Sequence, residues 1–95
     1  MRIISKRRIA EFYKIHPDSR NSLHAWYIII SKTDFTTFSD LRKTFPNADL
    51  VNNLTVFNIG GNKYRLIAAI HYNKKILYIR HILMHKEYDK NKWKD

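Results

Sequence analysis

The period of the hydrophobic residues changes halfway along the chain, and that switch restricts the fold more than any other feature. In the first half Ile9, Phe12 and Tyr13 recur at i, i+3, i+4, and Leu23, Trp26, Tyr27 and Ile30 at i, i+3, i+4, i+7. That spacing draws one apolar stripe along each of two helices. His16-Pro17-Asp18 separates them, because the residue before a proline is pushed out of the helical region. Ser5 is the expected cap of the first helix and Asp18 of the second. Thr37, with Asp40 three residues on, resembles a capping box for a short third helix ending before Pro46. Asp49 to Asn53 reads as connection.

From Leu54 onward the sequence becomes β-branched and aromatic. The runs Leu54–Ile59, Lys63–Tyr72 and Ile76–Met84 are divided by Gly60-Gly61-Asn62 and Asn73-Lys74-Lys75. Glycine and asparagine tolerate the positive φ of tight turns, and short connections make antiparallel neighbours, so these runs predict a meander. Arg2-Ile3-Ile4 is a further short β-prone start. After Met84 the pattern predicts one helical turn over His85 to Lys90 and then a polar tail. Helices followed by a sheet make an α+β fold, and 95 residues suffice for a single domain spanning 1–95.

Charge narrows the function. Eighteen Lys and Arg against eight Asp and Glu give +10 at pH 7. A small body with that surplus repels itself unless it meets a polyanion, whose condensed counterions are released on binding. The charge does not choose between RNA and DNA. There is no cysteine, so disulfides, thiolate nucleophiles and thiolate metal sites are excluded together. No apolar run approaches the roughly 20 residues of a membrane span. The opening MRIISKRRIAEF lacks the apolar stretch of a signal peptide. A soluble, cytoplasmic chain is predicted.

Strand alternation then locates the chemistry. Tyr64, Leu66, Ala68 and Ile70 form the face that packs on the helices, while Lys63, Arg65 and His71 share the other. Two cations one strand-step apart can hold neighbouring phosphates. The register of the last strand stays open. A three-residue loop over Asn73-Lys74-Lys75 puts Leu77, Ile79, His81, Leu83 and His85 on the cationic face. A two-residue turn flips every side chain and puts Tyr78 and Arg80 there. His85 ends that strand, and histidine is the side-chain class that titrates near neutrality. The pattern by itself assigns no chemical role to His16, His24, His71 or His81. No metal-ligand spacing, paired carboxylates, G-x-S-x-G, Walker or dinucleotide motif occurs, so no cofactor is implied. What remains is acid–base and electrostatic work by Lys, Arg, His and Tyr.

The chain resembles the HigB-type toxins of bacterial type II toxin-antitoxin systems, within the RelE-like superfamily. The resemblance runs through Met1-Arg2-Ile3-Ile4-Ser5, His16-Pro17-Asp18 and Ala25-Trp26-Tyr27, then the run from Val56 to Leu66 containing Ile59-Gly60-Gly61-Asn62. It continues through Tyr78-Ile79-Arg80 and His85-Lys86-Glu87-Tyr88-Asp89-Lys90. It implies a helical hairpin packed against a curved, mainly antiparallel sheet. It also implies a toxin that cleaves mRNA on the translating 70S ribosome and is neutralised by a HigA-type helix-turn-helix antitoxin. Arg65 matches the superfamily's recurring strand arginine, and His85 the position where several relatives carry a catalytic histidine. The implied catalytic set is Arg65, His85, Lys63 and Tyr88, with RNA contacts from Arg80, Lys90, Lys86 and His71 and no metal. The chemistry expected of them is attack of the RNA 2′-hydroxyl on the adjacent phosphate. Alternatives on the same fold are a non-catalytic inhibitor of DNA gyrase and a plain nucleic-acid-binding module.

Overall fold

Residues 1–94 are described by a computed structural model of the chain. The helical stripes of the first half become α1 (Arg7–Ile15) and α2 (Arg20–Lys32), joined through the 3₁₀ turn Pro17–Ser19. Neither helix is capped as expected. The cap position of α1 is Lys6, not Ser5, and that of α2 is Ser19, which makes no side-chain cap bond there; Asp18 lies inside the 3₁₀ turn. Proline starts the 3₁₀ turn because its fixed φ suits a first helical position. The short α3 (Phe38–Thr44) is capped as its sequence suggests: Thr37 Oγ1 accepts the Asp40 N–H at 3.0 Å. The Asp40 carboxylate reaches back to the N–H of Thr36, one residue before the cap.

The strands are β1 (Arg2–Ile4), β2 (Asp49–Val51), β3 (Leu54–Ile59), β4 (Tyr64–His71) and β5 (Ile76–Met84), in one open sheet of order β1-β5-β4-β3-β2. The β3-β4-β5 meander is antiparallel, as the turn chemistry predicts. Gly60 and Gly61 supply φ of 63° and 69° in its first turn, and Lys75 adopts φ 58° in its second. Two pairings lie outside the sequence reading. The chain start joins the far side of β5 as a parallel edge strand. Asp49–Val51, read as connection, forms β2 against β3, closed by Asn52 and Asn53 at φ 50° and 65°. Asparagine is among the few residues that enter this region readily.

One face of the sheet packs on the helices. Leu23, Trp26 and Ile30 of α2 and Ile9 of α1 meet Phe57, Leu66, Ala68, Leu77 and Ile79 in the main core. The other face is covered only in part. There α4 (His85–Asp89) and the 3₁₀ turn Lys92–Lys94 fold back, burying Trp93 on Val56 and Ile67 beside Leu83 and Tyr88. The helical turn after Met84 forms as predicted, but the polar tail does not hang free, because Trp93 anchors it. Among the described residues no helix is long and apolar enough to cross a membrane.

Candidate active site on the outer sheet face

The register of β5 decides what this outer face contains, and it is not uniform. Beside the turn, His71 pairs with Ile76 and Ala69 with Tyr78. Further on, Ile67 pairs with His81 and Arg65 with Leu83. The ladder shifts at Ile67/Ala68 and leaves Arg80 without a partner, as in a β-bulge. Each of the two registers open in the sequence is therefore correct for one half of the strand. Tyr78 lies on the outer face before the bulge, and His81 and Leu83 lie there after it. Arg80 sits at the bulge with its side chain exposed.

Arg65 lies at the floor of this face and is 8% exposed. Its Nη1 donates to the Tyr64 carbonyl at 3.1 Å, and its guanidinium lies 5.6 Å from the centroid of the Tyr88 ring. The ion pairs among the described residues involve the Met1 amino group, Lys63, Lys75 and His85. Arg65 thus sits in a low-dielectric place with a carbonyl and an aromatic ring for neighbours and, among the described residues, no carboxylate in salt-bridge range. Such a charge is costly to bury and is relieved by an incoming anion.

Helix α4 brings Tyr88 over this floor, with His85 one helical turn before it on the same helix. His85 Nδ1 lies 2.9 Å from the Asp89 carboxylate, so the carboxylate fixes the ring and leaves Nε2 for chemistry. Asp89, given no role from the sequence, is placed to orient that ring; its i, i+4 spacing from His85 on a short helix is the signal that points to it. Burial, reinforced by Asp49 and Asp89 against the opposing pull of Arg65, raises the Tyr88 phenol above its ordinary value. Tyr88 therefore keeps its proton at neutral pH. Lys86 and Lys90 are exposed on and just after the same helix.

His81, given no role from the sequence, is the other group found here. A cavity of about 380 Å³ opens between His81, Leu83, Glu87, Lys90, Lys92 and Trp93. Burial first, then Arg8 and Arg80, hold the His81 imidazole below its ordinary value, so it is neutral at pH 7. No sequence pattern reveals this, because an unbroken register cannot place Tyr78 and His81 on one face.

Two predicted site residues stand apart. Lys63 falls in the turn before β4, and its Nζ lies 3.4 Å from Asp18. Tyr64, on the helix side, donates its hydroxyl to the same carboxylate at 2.6 Å. The Tyr64 bond, with Lys63 beside it, holds the Asp18 carboxyl below the usual carboxylate range. The shared face expected for Lys63 and Arg65 is not formed, because alternation ends where the strand does. The Lys63 backbone remains adjacent, its carbonyl accepting the His85 N–H at 3.1 Å. His71 is on the outer face but at its far end, six residues along β4 from Arg65, or about 20 Å. Among the described residues no group of three His, Asp or Glu stands close enough to hold a metal ion.

Relatives give this geometry its context. Residues 19–91 match the family described as HigB toxin, the RelE-like toxic component of a toxin-antitoxin system. The chain is 40% identical over 93 residues to "mRNA interferase HigB" of Escherichia coli O6:H1, covering 95% of this chain and 90% of that protein. It is 32% identical over 92 residues to "mRNA interferase toxin HigB" of Escherichia coli K12, covering 94% and 88%. The match to "mRNA interferase HigB" of Shigella flexneri has the same extent. The open α+β sheet with its helical pair and the match over most of the chain agree: this chain belongs to the HigB family of RelE-like toxins.

Proposed function

We propose that this protein is a ribosome-dependent mRNA endonuclease that cuts without a metal, acts in the cytoplasm and is silenced by a HigA-type antitoxin. The observation that carries the reading is the buried Arg65 guanidinium, with no carboxylate of the described residues in salt-bridge range, beneath a short helix bearing an oriented imidazole and a protonated phenol. A phosphodiester supplies the missing anion. The 2′-hydroxyl gives its proton to an imidazole, His85 held by Asp89 or the neutral His81 in its cavity, and attacks the adjacent phosphorus. The bond to the 5′-oxygen breaks, Tyr88 or the imidazolium protonates the leaving oxygen, and a 2′,3′-cyclic phosphate remains. Arg65 stabilises the charge that grows on the non-bridging oxygens, with Lys90, Lys86 and Arg80 drawing the strand in. Lys63, paired with Asp18, contributes through its carbonyl, which positions the first residue of α4.

Primer-extension mapping of cellular mRNA after induction tests this. Wild-type protein is expected to produce discrete cuts, and folded Arg65→Ala to lose them by a factor of roughly 10²–10³ if the guanidinium acts like an oxyanion donor. Intact messages together with inhibited gyrase would overturn the reading in favour of a non-catalytic toxin. Wild-type cutting by Arg65→Ala would overturn the assignment of the site.

A further inference from the structure

The far end of the outer face holds an arrangement that the cleavage chemistry does not use. Tyr78 is 37% exposed, and its ring meets that of His71 edge-on, with centroids 5.4 Å apart and planes at 86°. Beside them runs β1, in which Ile4 pairs with Tyr78, and Arg2 with Ile76, the residue opposite His71. Ile3 packs into the main core, so alternation turns Arg2 and Ile4 to the outer face. The result is two adjacent rungs, Arg2–Ile76–His71 and Ile4–Tyr78–Ala69. Arg2, Tyr78 and His71 are exposed, and Ile4 and Ala69 half-buried. A large aromatic left open on a sheet has a solvation cost, and a perpendicular ring partner holds it upright without covering both of its faces.

We propose that Tyr78, braced by His71 and flanked by Arg2, is a stacking subsite for one unpaired nucleobase of the RNA strand whose phosphodiester lies over Arg65. This rests on the reading of the protein as an mRNA endonuclease. Aromatic rings interleaved with cations hold single-stranded RNA without demanding a particular base, since every base has a π-face. Four strand residues separate the Tyr78 rung from the Arg65 rung, about 13 Å. That is the reach of a short stretch of extended strand, and exposed Arg80 lies between them at the bulge. The substrate class is therefore single-stranded RNA held at two places, with the base read by shape at the second.

The test is equilibrium binding of the full chain to a short fluorescein-labelled RNA, made uncleavable by 2′-O-methyl groups, with one abasic position moved stepwise along it. Wild-type protein is expected to lose about 5- to 100-fold in affinity when the abasic position falls at one nucleotide offset from the cut site, the equivalent of one stacked base. Tyr78→Ala and Tyr78→Leu are expected to show that loss with intact RNA and no further loss at that position. Their slope of log affinity against log salt should match wild type. Tyr78→Phe retains binding, and Arg2→Ala lowers the salt slope by about one phosphate contact. Two substitutions at this exposed position keep the test usable if one fails to fold. Wild-type RNA binding by folded Tyr78→Leu overturns the proposal, as does a variant that binds RNA normally and loses only its complex with the antitoxin. Cellular mRNA left uncut by induced wild-type protein would sink the endonuclease reading itself, whereas wild-type protein that cuts message on the ribosome but fails to bind the short RNA, or whose Tyr78 variants bind it unchanged, sinks only this subsite.

Discussion

Arg65 and His81 show opposite ways for a side chain to be prepared before substrate arrives. Arg65 is buried under the Tyr88 ring with no carboxylate of the described residues in salt-bridge range, so an anion gains more from meeting it than from a solvated lysine. His81 is held neutral by burial and by two nearby arginines, so it can accept a proton at pH 7. The same burial makes it a stability element. Unfolded His81 titrates near its ordinary value of 6.5, and the native group below it. Its contribution is therefore complete above about pH 6.5 and is lost as pH falls through the native value, since the unfolded chain then binds the proton more tightly. The thermal midpoint of wild-type protein is expected to fall between neutral and mildly acid pH. That of His81→Gln should fall less over the same interval, and parallel declines would contradict the assignment. Asp18 behaves alike at lower pH. Its depressed value gives stability that is complete above 3.8 and lost below it, so Asp18→Asn should be less stable than wild type at neutral pH and converge with it in strong acid. Arg65 was legible in the sequence from strand alternation and family likeness. His81 was not, because its orientation depends on one unpaired residue at position 80 that no local pattern marks.

At the scale of elements, the site exists because α4 and the turn after it fold back over a sheet that is otherwise open. Trp93 holds that cover, buried on Val56 and Ile67, with its indole N–H donating to the Tyr88 carbonyl at 3.0 Å and its ring stacked on Tyr88 at 5.1 Å. Trp93→Ala is expected to destabilise the protein by about 3 kcal/mol, the low end for removing a buried aromatic. It should also cut activity by freeing Tyr88, and with it the helix that carries His85, from its place beside Arg65. Chemical denaturation and cleavage assays read the two effects separately, and a stable variant with wild-type activity would show that the cover is dispensable. The meander and the helical pair were legible because each carries its own period and turn residues. A lone tryptophan in a charged tail carries no period, and β2 is three residues of an edge strand whose identity comes only from pairing with β3. The parallel pairing of β1 with β5 joins the two ends of the chain, which local sequence cannot encode.

For the whole molecule, the surplus of +10 comes from Lys and Arg dispersed along the chain, while the proposed chemistry occupies one sheet face. Dispersed charge suits docking to ribosomal RNA before the strand is engaged, and it makes association depend on salt. Ribosome binding is expected to weaken steeply between low and physiological salt, and sedimentation at graded salt checks it; a flat response would contradict electrostatic docking. The central claim is that the RNA breaks its own backbone on the outer sheet face, with the protein supplying charge and proton transfer. The most direct test replaces the single nucleotide before the cut with its 2′-deoxy form in a ribosome-bound message. The account predicts that cleavage at that bond disappears, while the unmodified message yields a 2′,3′-cyclic phosphate end. Continued cleavage at the deoxy position would contradict it.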